Sequence, residues 1–194
     1  MNFKKHVFIF NVIASVYNWF FSGQYSRYSH VLSENIHLIQ LENNDRVLDI
    51  GCGTGAFTKA WEDMGFDVTG VDSASRMVAL GVKRGLKCSQ GNALEGLSFP
   101  DGSFKLVVFS YVAHGLDREK RIRLYREAAR LTSFKVLIHD YGTERSLGTD
   151  SIEFLEGGGY FEFIQSGMDE MREFFSRVEV YQVDRNACWY LCTP

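Results

Sequence analysis

The run from Val47 to Gly55, with the sequence VLDIGCGTG, constrains the fold of this chain more than any other stretch. Its first residues predict a buried strand, and three glycines at alternate positions predict a turn with positive φ angles. The turn leads directly into a predicted helix that begins near Ala56. Because a helix N-terminus presents unpaired N–H groups and a partial positive charge, the segment predicts a turn that binds a nucleotide-type ligand.

A second strand end narrows the ligand class. The predicted strand Asp67–Val71 is followed by Asp72, which lies 21 residues after Gly51. A carboxylate about 20 residues beyond such a turn is positioned to accept hydrogen bonds from a ribose diol. The glycine pattern is G-x-G-x-G rather than the G-x-G-x-x-G of dinucleotide folds. Asp49, two residues before the first glycine, would repel a pyrophosphate and attract an ammonium group. Both departures disfavour NAD and favour S-adenosylmethionine.

Four motifs in order resemble those of the class I S-adenosylmethionine-dependent methyltransferases. The likeness is strongest to the small-molecule branch, the ubiquinone/menaquinone-type and methyltransferase type 11-like enzymes, and covers about Asp45 to Asp140. The resemblance implies S-adenosyl-L-methionine as cofactor and S-adenosyl-L-homocysteine as product. The motifs are residues 47–55, 68–72, 91–93 with 97–104, and 104–111.

The resemblance also implies which residues contact the cofactor. Asp49 is expected to neutralise the α-ammonium, directly or through water, and a satisfied buried carboxylate is the alternative. Asp72 is expected to accept from the ribose hydroxyls, and it can also act as a helix N-cap. Ser73 and Met77 are expected to flank the adenosine, with plain core packing as the alternative for Met77.

Asn92 stands where many relatives carry Asp, and its amide oxygen can accept from the adenine amino group without charge assistance. Ala93 and Leu94 are expected to offer backbone N–H and apolar contact to the ring. The complete predicted cofactor set is Asp49, Gly51, Cys52, Gly53, Thr54, Gly55, Asp72, Ser73, Met77, Asn92, Ala93, Leu94 and Ser110.

Methyl transfer requires little dedicated catalytic machinery. The reaction is an in-line displacement at a sulfonium methyl, for which the protein supplies alignment and exclusion of water. A base is needed only when the acceptor arrives protonated, as a phenol or alcohol does. Tyr111 and His114, which follow the fourth predicted strand, are the candidate catalytic residues; a histidine that merely packs there is the alternative. Asp140 and Tyr141 could contact the acceptor or simply end the fifth strand.

Alternating strands and helices predict an α/β fold, a Rossmann-like three-layer α-β-α sandwich with a mostly parallel sheet. The resemblance implies seven strands closed by a C-terminal antiparallel hairpin, for which residues 178–183 and 187–192 are the candidates. We expect one methyltransferase domain, residues 1–194, with an N-terminal helical cap or lid (1–41) and a cofactor-binding core (45–194).

The other predicted helices are 7–21 and 26–41 around a loop at 22–24, 56–64, 74–83, 118–131 capped by Asp117, and 168–175. The other predicted strands are 46–50, 86–89, 106–110 and 135–139, with a turn at 132–134 and an irregular segment at 152–165.

Composition limits the partners. A net charge of −3 without a basic run disfavours nucleic acid as acceptor. The apolar stretch Val7–Phe21 is too short and too polar to span a bilayer, although a surface-bound helix stays open. Aromatic residues near the N-terminus and at 152–165 favour a small apolar or planar acceptor, with core packing as the alternative.

The four cysteines predict a reducing, cytoplasmic environment. Cys188 and Cys192 share one face of a predicted strand, either as buried reduced thiols or as a redox or metal pair. No metal site is predicted, and a monomer or homodimer is expected. Two other functions stay open: a non-catalytic S-adenosylmethionine-binding module, and a nucleotide-dependent oxidoreductase.

Overall fold

The computed structural model describes residues 3–142 and 159–194, without the side chains of residues 3–6, 13 and 15–18. The helices are α1 (Phe3–Asn35), α2 (Ala56–Asp63), α3 (Ser75–Lys83), α4 (Arg118–Leu131) and α5 (Tyr160–Phe174). The strands are β1 (Arg46–Ile50), β2 (Asp67–Asp72), β3 (Cys88–Gln90), β4 (Phe104–Ser110), β5 (Thr132–Asp140), β6 (Arg177–Asp184) and β7 (Ala187–Thr193). Short 3-10 helices lie at Ile36–Leu38 and Ala113–Gly115.

The seven strands form one mixed sheet in the order β3-β2-β1-β4-β5-β7-β6. Strand β2 runs parallel to both β1 and β3, whereas β7 runs antiparallel to both β5 and β6. This arrangement confirms the predicted α/β fold and its C-terminal antiparallel hairpin. By its contacts the chain divides into a first unit, Met1–Asn92 with Phe104–Leu106, and a second unit, Ala93–Ser103 with Val107–Pro194. The expectation of a single domain stays a prediction.

In the first unit, an apolar strand and two helices build the core beneath the glycine-rich turn. Val47 and Leu48 of β1 are fully buried, as expected for a strand covered on both faces. Helix α2 buries Phe57 and Trp61, and the Tyr28 ring of α1 packs 4.7 Å from that of Phe57 between centroids. These contacts fix the direction in which α2 leaves the turn.

In the second unit, α4 begins where the sequence predicts. The Asp117 side chain accepts a hydrogen bond from the Lys120 backbone N–H at 3.0 Å, which confirms the predicted N-cap. Near the other end of α4, Glu127 accepts from the Leu97 N–H at 2.7 Å, and Arg130 donates to the Leu97 and Phe99 carbonyls at 3.0 and 2.8 Å. Helix α4 therefore holds the segment before β4 in place.

Several predicted boundaries are wrong. Helix α1 continues through residues 22–24, where a loop was predicted. An exposed glycine inside a helix costs only about 1 kcal/mol, which contacts such as the 2.8 Å bond from Tyr25 Oη to Asp63 help to offset. The predicted turn at 132–134 is the beginning of β5, where the Thr132 hydroxyl bonds the Lys135 carbonyl and the Phe134 N–H. Strand β3 begins at Cys88, two residues after the predicted start at residue 86.

Helix α5 begins at Tyr160, eight residues before the predicted helix, so residues 160–165 are helical rather than irregular. The remainder of that predicted segment, residues 152–158, lies outside the described residues. None of the helices that the structure describes is long and apolar enough to cross a membrane.

Candidate functional site

The glycine-rich turn after β1 has the conformation that its sequence predicts. Gly51, Gly53 and Gly55 all have positive φ angles, of 75°, 54° and 89°. A Cβ at Gly55 would lie 2.3 Å from Leu86 Cδ1, so close packing as well as backbone conformation requires glycine there. A Cβ at Gly53 would meet no atom of the described residues within 4 Å. The turn is therefore tightly packed at Gly55 and open at Gly53.

Asp72, at the end of β2, joins the turn to the beginning of α3. Its Oδ2 accepts from the Gly53 N–H at 2.9 Å, and its Oδ1 accepts from the Ala74 N–H at 2.7 Å. Burial raises the pKa of Asp72, while these backbone hydrogen bonds oppose the shift. The Ser73 backbone also bonds this carboxylate, and because an ionised carboxylate has about four acceptor positions, Asp72 can still accept from a hydroxyl group. Its contact with a ribose stays a prediction that this geometry fits.

Asp49 is a buried acid whose pKa is set by burial, by Thr58 and by Asp72, with no contribution from a cationic group of the described residues. It is 1% exposed and accepts a 2.6 Å hydrogen bond from Thr58 Oγ1. Burial raises its pKa to about 7; the negative charge of Asp72 adds to the shift, and the Thr58 hydrogen bonds oppose it. An ammonium group placed beside this carboxylate would supply the missing positive charge. Thr58 is a residue that sequence reasoning missed, although its place in the first turn of α2 could have indicated it.

The remaining predicted residues of the first unit differ in burial. Met77 is 1% exposed and packs with Ala14 and Ala74, as the core alternative for this residue predicted. Thr54 is buried, and its carbonyl accepts from Arg84 at 3.3 Å. Ser73 and Asn92 are partly exposed. The structure thus brings Asp49, Cys52, Gly53 and Asp72 together at one turn and places Met77 in the core.

A second group of polar residues lies in the second unit, where β4 and β5 end. Nδ1 of His114 lies 2.8 Å from Oδ1 of Asp140. Asp140 is fully buried and also accepts from the backbone N–H groups of Ala113, His114 and Tyr141 at 3.0, 3.3 and 2.9 Å. Asp140 therefore fixes the His114 ring, a role that sequence reasoning missed. The signal was present, because two polar residues follow strands that are expected to end at the same edge of the sheet.

Aromatic rings surround this histidine. The Tyr141 ring centroid lies 4.8 Å from His114, 5.0 Å from Tyr111 and 5.1 Å from Tyr160. Tyr111 has a φ of 52°, an uncommon left-handed conformation for a residue other than glycine, and its N–H donates to the His139 carbonyl at 2.8 Å. The other predicted cofactor residues of this unit are Ala93, which is buried, and Leu94 and Ser110, which are partly exposed.

The alternative of a redox or metal pair at Cys188 and Cys192 is wrong. Both lie on β7, four residues apart, and a strand rises about 3.3 Å per residue, so their backbones are about 13 Å apart. Each thiol bonds its own neighbour, Gln182 at 3.0 Å and the Tyr190 carbonyl at 3.7 Å. Within residues 3–142 and 159–194, no three His, Cys, Asp or Glu residues are grouped to hold a metal.

Comparison with known proteins shows a family match over part of the chain. Residues 47–133 match the model of a methyltransferase domain. The chain is 32% identical over 108 residues to the uncharacterized methyltransferase YcgJ of Bacillus subtilis, covering 51% of this chain and 42% of that protein. It is 40% identical over 62 residues to a malonyl-[acyl-carrier protein] O-methyltransferase of Erwinia billingiae, covering 31% and 25%. The match therefore spans less than half the length of these curated relatives.

A solved structure extends the likeness of the fold to nearly the whole chain. A putative S-adenosyl-L-methionine-dependent methyltransferase of Methanococcus maripaludis aligns with a TM-score of 0.74 and 17% identity, covering 94% of this chain and 92% of the other. At this identity the likeness shows the fold, and function must be argued from the site.

Proposed function

We propose that this chain, which carries a methyltransferase domain of the class I fold, binds S-adenosylmethionine at the glycine-rich turn and transfers its methyl group to a small acceptor. The observation that carries the proposal is the pair of acids at that turn. Asp49 is buried, no cationic group of the described residues contributes to the shift of its pKa, and Asp72 is bonded to the turn itself. A ligand with an ammonium group at one end and a ribose diol at the other complements both.

The described residues fit this ligand by chemistry. The open space beside Gly53 admits the close approach of a ligand to the backbone. Asp72 is already oriented by two backbone N–H groups, so a ribose that bonds it meets a fixed acceptor. When bound, S-adenosylmethionine would supply an electrophilic methyl group on a sulfonium. A pyrophosphate at the same place would meet the Asp49 carboxylate, which argues against a dinucleotide.

The direct test is calorimetry on the purified chain with S-adenosylhomocysteine and, separately, NADH. Tight binding of the first supports the proposal, and preference for NADH overturns it. Asp72→Asn keeps the size of the side chain but removes its charge, and we expect at least a tenfold loss of affinity, since hydrogen bonds to charged groups contribute about 1.5–3 kcal/mol each. Asp67→Asn, at the exposed beginning of the same strand, is the matched control and should bind as the wild type does.

We further propose that His114 is the general base and that Asp140 is its positioning residue. With Nδ1 directed at the Asp140 carboxylate, the neutral ring carries its proton on Nδ1, and Nε2 is the basic nitrogen. A base is useful only for an acceptor that must lose a proton, so this dyad favours an O–H or N–H acceptor. Tyr111 and Tyr141 beside the ring favour a planar one.

A series of phenols of different acidity tests this role. We expect Asp140→Asn to slow methyl transfer to weakly acidic phenols and to leave transfer to already ionised phenols nearly unchanged, while the affinity for S-adenosylhomocysteine stays the same. An equal loss for every acceptor would contradict the role of a base and indicate a structural one. His114→Gln provides the second variant.

The non-catalytic alternative has its own discriminating result. A protein that binds S-adenosylhomocysteine but methylates no member of a broad acceptor screen would be a binding module rather than an enzyme.

The four free cysteines are consistent with a reducing cytoplasm, which we propose as the location.

A further inference from the structure

Two thiols meet beside the glycine-rich turn. Cys52 Sγ lies 4.0 Å from Cys88 Sγ, although Cys52 follows β1, Cys88 begins β3, and β2 lies between those strands. The residue of β2 that pairs with Cys88 is Gly70. A Cβ at Gly70 would lie 2.9 Å from Cys52 Sγ and 3.0 Å from Cys88 Sγ. The absence of a side chain at Gly70 therefore allows the two sulfur atoms to meet over the middle strand.

A second glycine encloses the same pair from the helical side. A Cβ at Gly81 of α3 would lie 2.8 Å from Cys88 Sγ. Any side chain at Gly70 or Gly81 would have to displace a sulfur atom, since real Cβ atoms do not approach this closely. The two thiols thus occupy a space that two glycines from different elements leave open. They differ from Cys188 and Cys192 because they contact each other, whereas those two thiols bond Gln182 and the Tyr190 carbonyl.

We propose that Cys52 and Cys88 form a dithiol site that hydrogen peroxide oxidises to a disulfide, and that this modification weakens cofactor binding at the adjacent turn. The effect on binding rests on the proposed function. In the first step a Cys88 thiolate attacks one peroxide oxygen, the O–O bond breaks, and a sulfenic acid and hydroxide form. In the second step the Cys52 sulfur attacks the sulfenic sulfur, the S–S bond forms and hydroxide leaves. The two thiol protons convert both hydroxides to water, and the two electrons pass from sulfur to peroxide.

The order of the two steps follows from the environments of the thiols. The hydrogen bond from Cys52 lowers the pKa of Cys88. The same bond, burial and the charges of Asp49 and Asp72 raise the pKa of Cys52. Cys88 is also partly exposed, whereas Cys52 is 6% exposed. Since the thiolate is the nucleophile, Cys88 reacts with the oxidant and Cys52 resolves the product.

Disulfide formation would disturb the turn rather than the sheet. The sulfur atoms must approach from 4.0 Å to a bond length of about 2.05 Å. Cys88 is held in β3 by pairing with Gly70, whereas Cys52 belongs to the irregular turn. The next residue, Gly53, donates the 2.9 Å hydrogen bond that orients Asp72. Movement of Cys52 toward β3 therefore displaces the donor that positions the predicted ribose contact.

The experiment treats the reduced full chain with hydrogen peroxide and follows two readouts. Intact mass with peptide mapping should show loss of two hydrogen atoms and a Cys52–Cys88 cross-link. Calorimetry with S-adenosylhomocysteine should show at least a tenfold loss of affinity that dithiothreitol reverses. Cys88→Ser should bind the ligand normally and resist the oxidant, and Cys88→Ala serves as a second variant. Cys192→Ser should remain as sensitive as the wild type.

Three results overturn the proposal. The first is oxidation to another disulfide or to a sulfinic acid with no Cys52–Cys88 link. The second is a Cys88→Ser protein that still loses affinity for S-adenosylhomocysteine on oxidation. The third is a complete Cys52–Cys88 link with unchanged affinity for that ligand. Failure of the proposed function is distinguishable from these. A reduced chain that binds no S-adenosylhomocysteine contradicts that function and with it the effect on binding, while the mass readout alone decides whether the disulfide forms.

Discussion

Replacing Asp49 by asparagine should remove a pH dependence of stability that the buried acid creates. The folded pKa of Asp49 is raised from 3.8 to about 7, chiefly by burial. A raised folded pKa means that the associated stability is fully present below pH 3.8 and is lost as the pH rises through about 7. At 1.36 kcal/mol per pKa unit, the wild type should lose about 3 kcal/mol between pH 5 and pH 8 through this group.

Urea unfolding of both proteins at pH 5 and pH 8 measures the effect. The free energy of unfolding of Asp49→Asn relative to the wild type should rise by about 3 kcal/mol from the lower to the higher pH, because the substituted amide does not ionise. Thr58→Val is the companion variant. It removes a hydrogen bond that favours the ionised acid, so the folded pKa should rise further and the loss of stability should continue to higher pH and be larger. Free-energy profiles of wild type and Asp49→Asn that stay parallel from pH 5 to pH 8 would refute the reasoning.

The same variant tests the ligand. If the ionised carboxylate pairs with the α-ammonium, the ionised fraction of Asp49 rises about tenfold between pH 6 and pH 8, and the affinity of the wild type for S-adenosylhomocysteine should rise with it. Asp49→Asn should bind weakly and without this pH dependence. A wild-type affinity that does not change with pH would show that Asp49 does not pair with the ammonium group and is only a buried carboxylate.

Three further substitutions probe the framework, each measured by urea unfolding. Asp117→Ala should lower the free energy of unfolding by about 1 kcal/mol through loss of the α4 N-cap, and Asp117→Ser should restore much of it; equal stability of the two would contradict the cap. Arg121→Ala should lower it by about 3–5 kcal/mol, because fully buried Arg121 bonds Glu170 at 2.7 and 2.8 Å and its loss leaves that buried acid with the Ser166 hydroxyl but without a cationic partner. A loss below about 1 kcal/mol would refute this. Gly55→Ala should lower the free energy of unfolding by at least about 1–3 kcal/mol, since the position combines a φ of 89° with a close approach to Leu86. An unchanged stability would show that neither the positive φ nor the close packing requires glycine there.

Local signals predict the parts of this fold that depend on neighbours in sequence. The glycine spacing fixes the turn, Asp117 fixes the beginning of α4, and the segment at 184–186 separates β6 from β7. The same signals fail at Gly23, where a single exposed glycine does not end a helix whose other residues pack. The boundary errors thus occur where tertiary packing offsets a small local preference.

The contacts between distant residues could not be predicted from spacing. His114 and Asp140 are 26 residues apart, and their bond depends on where β4 and β5 end. Cys52 and Cys88 are 36 residues apart and meet only because the sheet register places Gly70 between them. Sequence reasoning located the ends of β1 and β4 and that of β5 to within one residue, but it misplaced the beginning of β3 by two residues. It could not tell which side chains face each other there, because a register shift of one residue would send them to opposite faces.

The charges at the turn connect its binding and its redox chemistry. Asp49 and Asp72 raise the pKa of Cys52, and the charge of Asp72 also raises that of Asp49. The ammonium group of a bound ligand would favour the ionised form of Asp49, since a nearby positive charge favours ionised acids. Ligand binding should also stabilise the turn that disulfide formation must move, and should therefore slow oxidation of the pair. The rate of cross-linking by hydrogen peroxide with and without S-adenosylhomocysteine measures this coupling, and an unchanged rate at saturating ligand would show that the thiols and the acids act independently.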